Sequence, residues 1–205
     1  MRDHASDRTV GFRRRGGEWD LITYQELALR TRRIAAGIRA RCEEGEVVAI
    51  LASVPDEVVP LFFGVLYAGG VPAVLPPPRL FERADSHRPR LAAMVAAIDA
   101  ALVVAGPDLV DAAAAIPSPR PLATATLAEL EAEDELIDPC VRRPDARTTI
   151  QFTSGSSGPQ RAVSFLRMPS RFARSGSSRR CMLVAHASKV ARLRRSHARS
   201  PILSA

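Results

Sequence analysis

The sequence has 205 residues, of which 46% are hydrophobic, 25% charged and 5% aromatic, which supports one domain with a core and excludes a chain disordered throughout. No run approaches the roughly 18 consecutive apolar residues of a membrane span, no signal peptide is recognisable, and three cysteines without metal-ligand spacing exclude a disulfide scaffold and fit a cytosolic location. The net charge of +7 and the pI near 10.5 by themselves point to nucleic acid or an acidic membrane surface.

Hydrophobic periodicity predicts strands that alternate with helices. Residues 46–51 (E-V-V-A-I-L) form a continuous apolar run typical of a buried parallel strand, and Thr23 with Glu26 has the capping-box pattern of a helix start. In chain order the predicted elements are strands at 10–12 and 19–22, a helix at 24–41, a strand at 46–51, a helix at 55–68, a strand at 71–75, a helix at 91–98, a strand at 101–105, a helix at 108–116, an exposed helix at 127–136 and a last strand at 148–152.

This alternation predicts the fold class. Successive strand–helix–strand units form right-handed crossovers, so we expect an α/β fold with a mostly parallel sheet and helices on both faces. The sequence contains no internal repeat.

Several residue types that often serve chemistry have simpler interpretations here. No histidine has a partner at catalytic or metal-ligand spacing, so we expect all four on the surface or in the tail, namely His4, His87, His186 and His197. The arginines of the first helix form a solvated face, and the acids near residue 135 form a solvated helix end, not a cation site. The arginines are Arg30, Arg32, Arg33 and Arg39, and the acids are Asp134, Glu135 and Asp138. The strands at 10–12 and 19–22 are predicted to form a hairpin, and Trp19 is expected to pack this hairpin against the sheet. Cys42 is expected to pack on a helix face.

One loop directly follows the strand at 148–152. It reads T-S-G-S-S-G-P-Q-R from residue 153 to residue 161. Glycines allow positive φ and close approach of an anion, consecutive amides and hydroxyls donate to it, and Arg161 adds a permanent charge. Composition alone fits a flexible linker equally well, and the segment matches neither a Walker A loop nor G-x-G-x-x-G. Its position after a buried strand favours phosphate binding.

The loop also resembles the Ser/Thr/Gly-rich phosphate loop of the adenylate-forming (AMP-binding) enzymes. Two upstream segments support the resemblance, since residues 21–27 (L-I-T-Y-Q-E-L) and 61–74 (L-F-F-G-V-L-Y-A-G-G-V-P-A-V) are similar to the family's helix entry and its helix–turn–strand. The L-Y-A-G motif at 66–69 and the prolines at 76–78 look most like those of fatty acyl-AMP ligases, with acyl-CoA synthetases as close relatives. The family has lysine where Arg161 stands.

The resemblance implies an ATP-dependent ligase, with ATP and Mg²⁺ as cofactors. In that family a fatty acid or another carboxylate attacks the α-phosphorus of ATP, giving acyl-AMP and pyrophosphate, and the acyl group passes to the thiol of CoA or an acyl carrier protein. Matching position by position, the resemblance implies that the phosphates are bound by Thr153, Ser154, Gly155, Ser156, Ser157, Gly158 and Arg161. It implies no catalytic residue and no metal ligand in this chain.

The charge is concentrated after residue 163. Residues 1–163 hold 19 arginines and 22 acidic residues, a net charge of −3, whereas residues 164–205 hold nine arginines, Lys189 and no acid, a net charge of +10. The family's later motifs do not follow residue 163, and the periodic patterning stops there. We therefore predict two parts, a truncated adenylation domain at 1–163 and an irregular basic tail at 164–205 that derives from a frameshift in a GC-rich gene.

Two functional hypotheses follow. In the first, the chain is part of a fatty-acid-activating ligase and is inactive by itself, because the groups that position the substrates lie in the missing motifs. In the second, it is a non-catalytic α/β module whose basic tail binds nucleic acid or an anionic surface. The acidic charge of residues 1–163 argues against nucleic acid as a partner of the folded part.

Overall fold

A two-stranded antiparallel hairpin begins the fold. Its strands are β1 (Thr9–Arg13) and β2 (Trp19–Thr23), which confirms the predicted hairpin. The computed structural model describes residues 8–13, 16–78, 84–118, 122–143, 145–153, 161–166 and 184–186. None of the helices within those ranges is long and apolar enough to cross a bilayer.

Helix α1 (Tyr24–Arg39) starts at the predicted capping box. The amide of Glu26 donates to Oγ1 of Thr23 at 3.1 Å, and the amide of Thr23 donates back to Oε2 of Glu26 at 2.7 Å. The exchange satisfies two amides that the first helical turn leaves without intrahelical partners. The sequence therefore determines this helix start locally.

The remaining strands form one seven-stranded sheet with the order β6-β5-β3-β4-β7-β8-β9. All neighbours from β6 to β7 are parallel, and β8 and β9 add antiparallel pairs at one edge. The bounds are β3 (Val47–Leu51), β4 (Val71–Val74), β5 (Leu102–Ala105), β6 (Ala123–Thr126), β7 (Arg147–Thr153), β8 (Arg161–Leu166) and β9 (Val184–His186).

Helices connect the parallel strands. They are α2 (Pro55–Ala68), α3 (Ala84–Ile98), α4 (Val110–Ala114), which a 3₁₀ turn at Pro107–Leu109 precedes, and α5 (Leu127–Glu131). Helix α2 ends at Gly69, whose φ of 89° lies in the left-handed region that favours glycine. The predicted helix at 55–68 is thus confirmed at both ends.

Side chains of β3 alternate between two cores, one on each face of the sheet. Val47, Ala49 and Leu51 pack with α3 and α4, while Val48 and Ile50 pack with α1, α2 and α5. All five side chains are buried, as a parallel strand covered on both faces requires. The predicted α/β fold with helices on both faces is confirmed.

Two predictions in the region after residue 116 were wrong. Strand β6 was missed, because its small and hydroxyl residues (A-T-A-T) carry no strong apolar pattern and become a strand by pairing with β5. Helix α5 was expected to be exposed and to reach residue 136, but it ends at Glu131 and buries Leu127 and Leu130 against α1. Its two leucines lie three residues apart, which is the spacing of one helix face.

The predicted packing of Trp19 was also wrong. Its side chain is 65% exposed, and its ring lies over Gly11 of the neighbouring strand, where a Cβ on Gly11 would come within 3.0 Å of it. Trp19 therefore packs on its own hairpin. Because Gly11 has no side chain, the Trp19 ring can lie directly on the backbone of its own hairpin and does not reach the sheet.

Candidate functional site

Strand β7 leads into the predicted phosphate loop and is fixed against β4. Ile150 is buried and pairs in parallel register with Ala73. The hydroxyl of buried Thr149 donates to the carbonyl of Pro72 at 2.9 Å. Because β7 runs parallel to β4 and to the strands beyond it, its carboxyl end lies at the edge of the sheet where α/β proteins bind ligands.

Thr153 and Arg161 hold the two ends of the loop next to each other. Thr153 is the last residue of β7, Arg161 is the first of β8, and the two are cross-strand partners. The hydroxyl of Thr153 donates to the carbonyl of Arg161 at 3.3 Å. Both residues are exposed, and Arg161 forms no ion pair with any residue the structure describes. A hydroxyl and an uncompensated guanidinium therefore flank the loop.

The other predicted phosphate-binding residues lie outside the described residues. They are Ser154, Gly155, Ser156, Ser157 and Gly158. Their roles stay predictions, as does the role of Arg161 as the counterpart of the family's lysine. The structure brings together Thr153 and Arg161 alone from the predicted set.

A half-buried carboxyl at the same edge was not singled out from the sequence. Glu57 lies in the first turn of α2 and packs against Gly106, which follows β5. Burial raises the pKa of Glu57, and the nearby charges of Asp56 and Asp108 raise it further. The sequence signal was weak, because acids in a first helical turn are ordinary partners of the helix dipole.

His87 is buried, so the prediction of a surface histidine was wrong for this residue. It is 5% exposed, and its Nε2 atom has no hydrogen-bond partner among the residues that the structure describes. His87 lies one turn before Leu91, on the face of α3 that packs against the sheet. Helix α3 was predicted to begin only at Leu91, which left this position outside any apolar face. Burying a polar atom without a partner costs folding free energy.

The described cysteines are poor nucleophiles. Cys42 is partly buried against the core, as predicted, and burial raises its pKa to about 11. Burial and a hydrogen bond to Glu44 raise the pKa of Cys140. Since the thiolate is the reactive form, neither group fits covalent catalysis. Nor do the described parts of the chain contain a cluster of His, Cys, Asp and Glu able to hold a metal ion.

The acids near residue 135 form ion pairs. The Nε atom of Arg32 lies 2.7 Å from Oε2 of Glu135, and the Nε atom of Arg30 lies 2.7 Å from Oε1 of Glu131. The predicted solvated face is therefore confirmed for Arg33 and Arg39, whereas Arg30 and Arg32 are half-buried in these ion pairs. Their partners lie about a hundred positions away in sequence, beyond the reach of local patterns.

The chain is similar to proteins that form acyl-adenylates. A family model described as AMP-binding enzyme matches residues 2–165. A search of curated protein sequences finds no significant match. Among solved structures, one from a study of fatty acyl-adenylate ligases from E. coli and L. pneumophila has a TM-score of 0.67 and 27% identity, over 79% of this chain and 30% of that one.

Two further structures share the fold. A Brucella canis acyl-CoA synthetase has a TM-score of 0.61 and 19% identity, over 80% of this chain and 32% of that one. An ATP-bound RpMatB-BxBclM chimera has a TM-score of 0.59 and 22% identity, over 79% of this chain and 33% of that one. The chain thus spans about a third of the length of the structures it matches.

Proposed function

Because this chain belongs to the AMP-binding enzyme family, we propose that residues 153–161 bind the β- and γ-phosphates of ATP during fatty-acid activation. In that reaction a carboxylate oxygen bonds to the α-phosphorus, the bond to the bridging oxygen breaks, and pyrophosphate leaves with the electron pair. The acyl-adenylate then transfers its acyl group to the thiol of CoA or a carrier protein, and AMP departs.

The single observation that carries the proposal is the pairing of Thr153 with Arg161 at the carboxyl edge of the sheet. Negative charge develops on the departing pyrophosphate, so donors aimed at that position lower the barrier. Arg161 supplies a guanidinium that no described acid neutralises, and the hydroxyls and amides of residues 154–158 supply further donors. Antiparallel pairing of β7 with β8 keeps both ends of the loop at one place.

The described residues offer no cluster of ligands for Mg²⁺. Magnesium keeps several waters and is usually held by substrate phosphates together with one or two protein groups. We therefore expect this chain to bind the phosphates of the Mg²⁺–ATP complex. The loop hydroxyls are the protein oxygen atoms that could ligate the Mg²⁺ ion. Bound Mg²⁺ supplies neutralisation of phosphate charge.

A fatty acid is the proposed carboxylate. The support is the 27% identity with the fatty acyl-adenylate ligase structure and the run of prolines at 76–78 after β4. The acceptor, CoA or a carrier protein, and a cytosolic location stay predictions. So do the division at residue 163 and the frameshift origin of residues 164–205.

The proposal separates binding from turnover. Residues 1–205 bind ATP but do not catalyse adenylation by themselves, since they correspond to about a third of the matched enzymes. ATP affinity is measured by calorimetry on the full chain, with Arg161→Gln as the test variant and Arg33→Gln, on the exposed face of α1, as the matched control. Loss of one charge-assisted contact weakens ATP binding about tenfold in Arg161→Gln only.

Two results would overturn parts of the proposal. Equal ATP affinity of the wild type and Arg161→Gln removes Arg161 from the site. Fatty-acid-dependent exchange of labelled pyrophosphate into ATP by the purified chain removes the claim of inactivity and leaves the ATP site standing.

The net charge of +10 on residues 164–205 favours a second candidate function, binding to nucleic acid or another anionic surface. Retention on DNA would then fall steeply with salt and disappear on deletion of residues 164–205. Retention that survives the deletion contradicts this candidate.

A further inference from the structure

A cavity of about 330 Å³ lies at the amino edge of the sheet, where β7 begins. Its walls come from the last turn of α2 at Leu66, from residues 140–143 and 146, and from Arg147 and Thr148. The phosphate loop begins at the other end of β7, six residues away, or about 20 Å at the usual rise per residue. The cavity is therefore separate from the proposed ATP site.

Arg142 is held rigidly in the wall of this cavity. Its Nη1 atom donates to the carbonyl of Gly70 at 3.1 Å and to the carbonyl of Arg147 at 2.7 Å. Its Nε atom is buried and has no partner within the described ranges. These bonds place a guanidinium at the carboxyl end of α2, where the helix dipole favours a cation. Because its position is already set, little side-chain entropy remains to be lost on binding an anion.

The charges lining the cavity do not cancel. Arg143 is paired with Asp145, with Nε and Oδ1 3.2 Å apart, whereas Arg142 and Arg147 have no ion pair with any residue in the described ranges. Glu44 interacts with the thiol of Cys140 but does not line the cavity. At this end of the sheet, two guanidinium groups thus have no described carboxylate within ion-pair distance.

We propose that this cavity binds the phosphate group of a small phosphate monoester. A monoester carries nearly two negative charges at neutral pH, which matches two uncompensated guanidiniums, whereas a carboxylate matches one. The exposed guanidinium of Arg147 can bind phosphate oxygens with paired donors. Arg142, whose Nη1 group already donates to two carbonyls, adds positive charge and its Nη2 group.

The shape of the cavity favours an organic ester over the bare ion. Its volume equals that of roughly ten waters, at about 30 Å³ each, which is the lower end of the range for small-molecule sites. Leu66, Val141 and Ala146 add apolar side chains to the wall, and Val141 is 91% exposed. A phosphate with a short alkyl group uses both kinds of wall.

The test uses n-butyl phosphate and inorganic phosphate as probes with the full chain, by calorimetry at low salt. Arg147→Gln is the main variant, because the Arg147 side chain is exposed at the start of β7 and its removal leaves the fold intact. We expect it to weaken butyl phosphate binding about tenfold. Asp145→Asn frees Arg143 and is expected to tighten binding about threefold.

Arg33→Gln removes an equal charge from the exposed face of α1 and is expected to leave the affinity unchanged. An equal loss in Arg33→Gln and Arg147→Gln means that the probe senses only the overall charge, which overturns the proposal. Absence of millimolar binding to the wild type also overturns it. A butyl phosphate affinity no greater than that of inorganic phosphate rejects the organic ester. Failure of ATP binding leaves this proposal standing, because the two sites lie at opposite edges.

Discussion

Gly64 of α2 lies against Ile34 of α1 so closely that a Cβ atom on Gly64 would overlap the Ile34 side chain. Both residues are buried, and the two helices cross at this point on one face of the sheet. Gly64 lies within the segment 61–74 (L-F-F-G-V-L-Y-A-G-G-V-P-A-V) that carries part of the family resemblance. A close helix approach gives a physical reason for glycine at that position.

Gly64→Ala is therefore expected to destabilise the chain. In an open helix this change stabilises by about 1 kcal/mol, but overpacking a core costs about 1–3 kcal/mol, and the overlap with Ile34 is with a branched side chain that has little room to move. Urea unfolding should show a lower midpoint. The overlap is with Cγ2 of Ile34, so in an Ile34→Ala background, which lacks that atom, Gly64→Ala should cost less stability. An equal loss from Gly64→Ala in both backgrounds would contradict this account.

The capping box predicts a pH-dependent contribution to stability. Hydrogen bonds from the backbone and hydroxyl of Thr23 lower the pKa of Glu26. A lowered folded pKa means that the contribution is complete above the unfolded value, about 4.3, and is lost as the pH falls through the folded value. In Thr23→Ala, carbon-detected NMR titration should show the Glu26 pKa returning towards its ordinary value.

Removal of the cap should also lower stability at neutral pH. Loss of an N-cap threonine costs about 1 kcal/mol. Thr126 caps the short helix α5 through the same exchange with Glu129, so Thr126→Ala is a matched control that must leave the titration of Glu26 unchanged. An unshifted Glu26 pKa in Thr23→Ala would show that Thr23 is not its cause.

His87→Leu is expected to stabilise the chain. The substitution removes a buried polar atom that has no partner in the described part of the chain, whose desolvation costs about 1–3 kcal/mol. It places an apolar side chain of similar size beside Leu91. His87→Ala removes the same atom but leaves a cavity, so it should be less stable than His87→Leu. A lower unfolding midpoint for His87→Leu than for the wild type would show that the imidazole has a partner in solution.

The thiol of Cys42 is expected to react slowly. Its pKa of about 11 leaves roughly two orders of magnitude less thiolate at pH 8 than an ordinary cysteine has, near 8.5. The rate is measured with a disulfide reagent on Cys140→Ser/Cys181→Ser, in which Cys42 is the remaining cysteine. Denaturant should restore the ordinary rate, and a fast reaction of the folded chain would contradict the assigned burial.

The raised pKa of Cys42 has a consequence for stability at high pH. The unfolded thiol ionises first, so this group's contribution is present below the unfolded pKa and falls as the pH rises towards the folded value. Cys42→Ala should remove that dependence between about pH 8.5 and 11.

The sequence alone determined most elements of the fold, because their signals are local. The continuous apolar run of β3, the Thr23–Glu26 cap and the Gly69 stop each depend on residues a few positions apart. The phosphate-loop prediction was local in the same way, since it rested on a strand followed directly by hydroxyl and glycine residues.

What the tertiary structure decided depends on residues far apart in the chain. Strand β6 exists because β5 offers it backbone partners, and Leu130 is buried because α1 lies against it. The pairing of Arg32 with Glu135, and the closing of the cavity around Arg142, join segments about 70 to 100 positions apart. Such contacts carry no local pattern, since backbone pairing and burial depend on which surfaces the fold brings together.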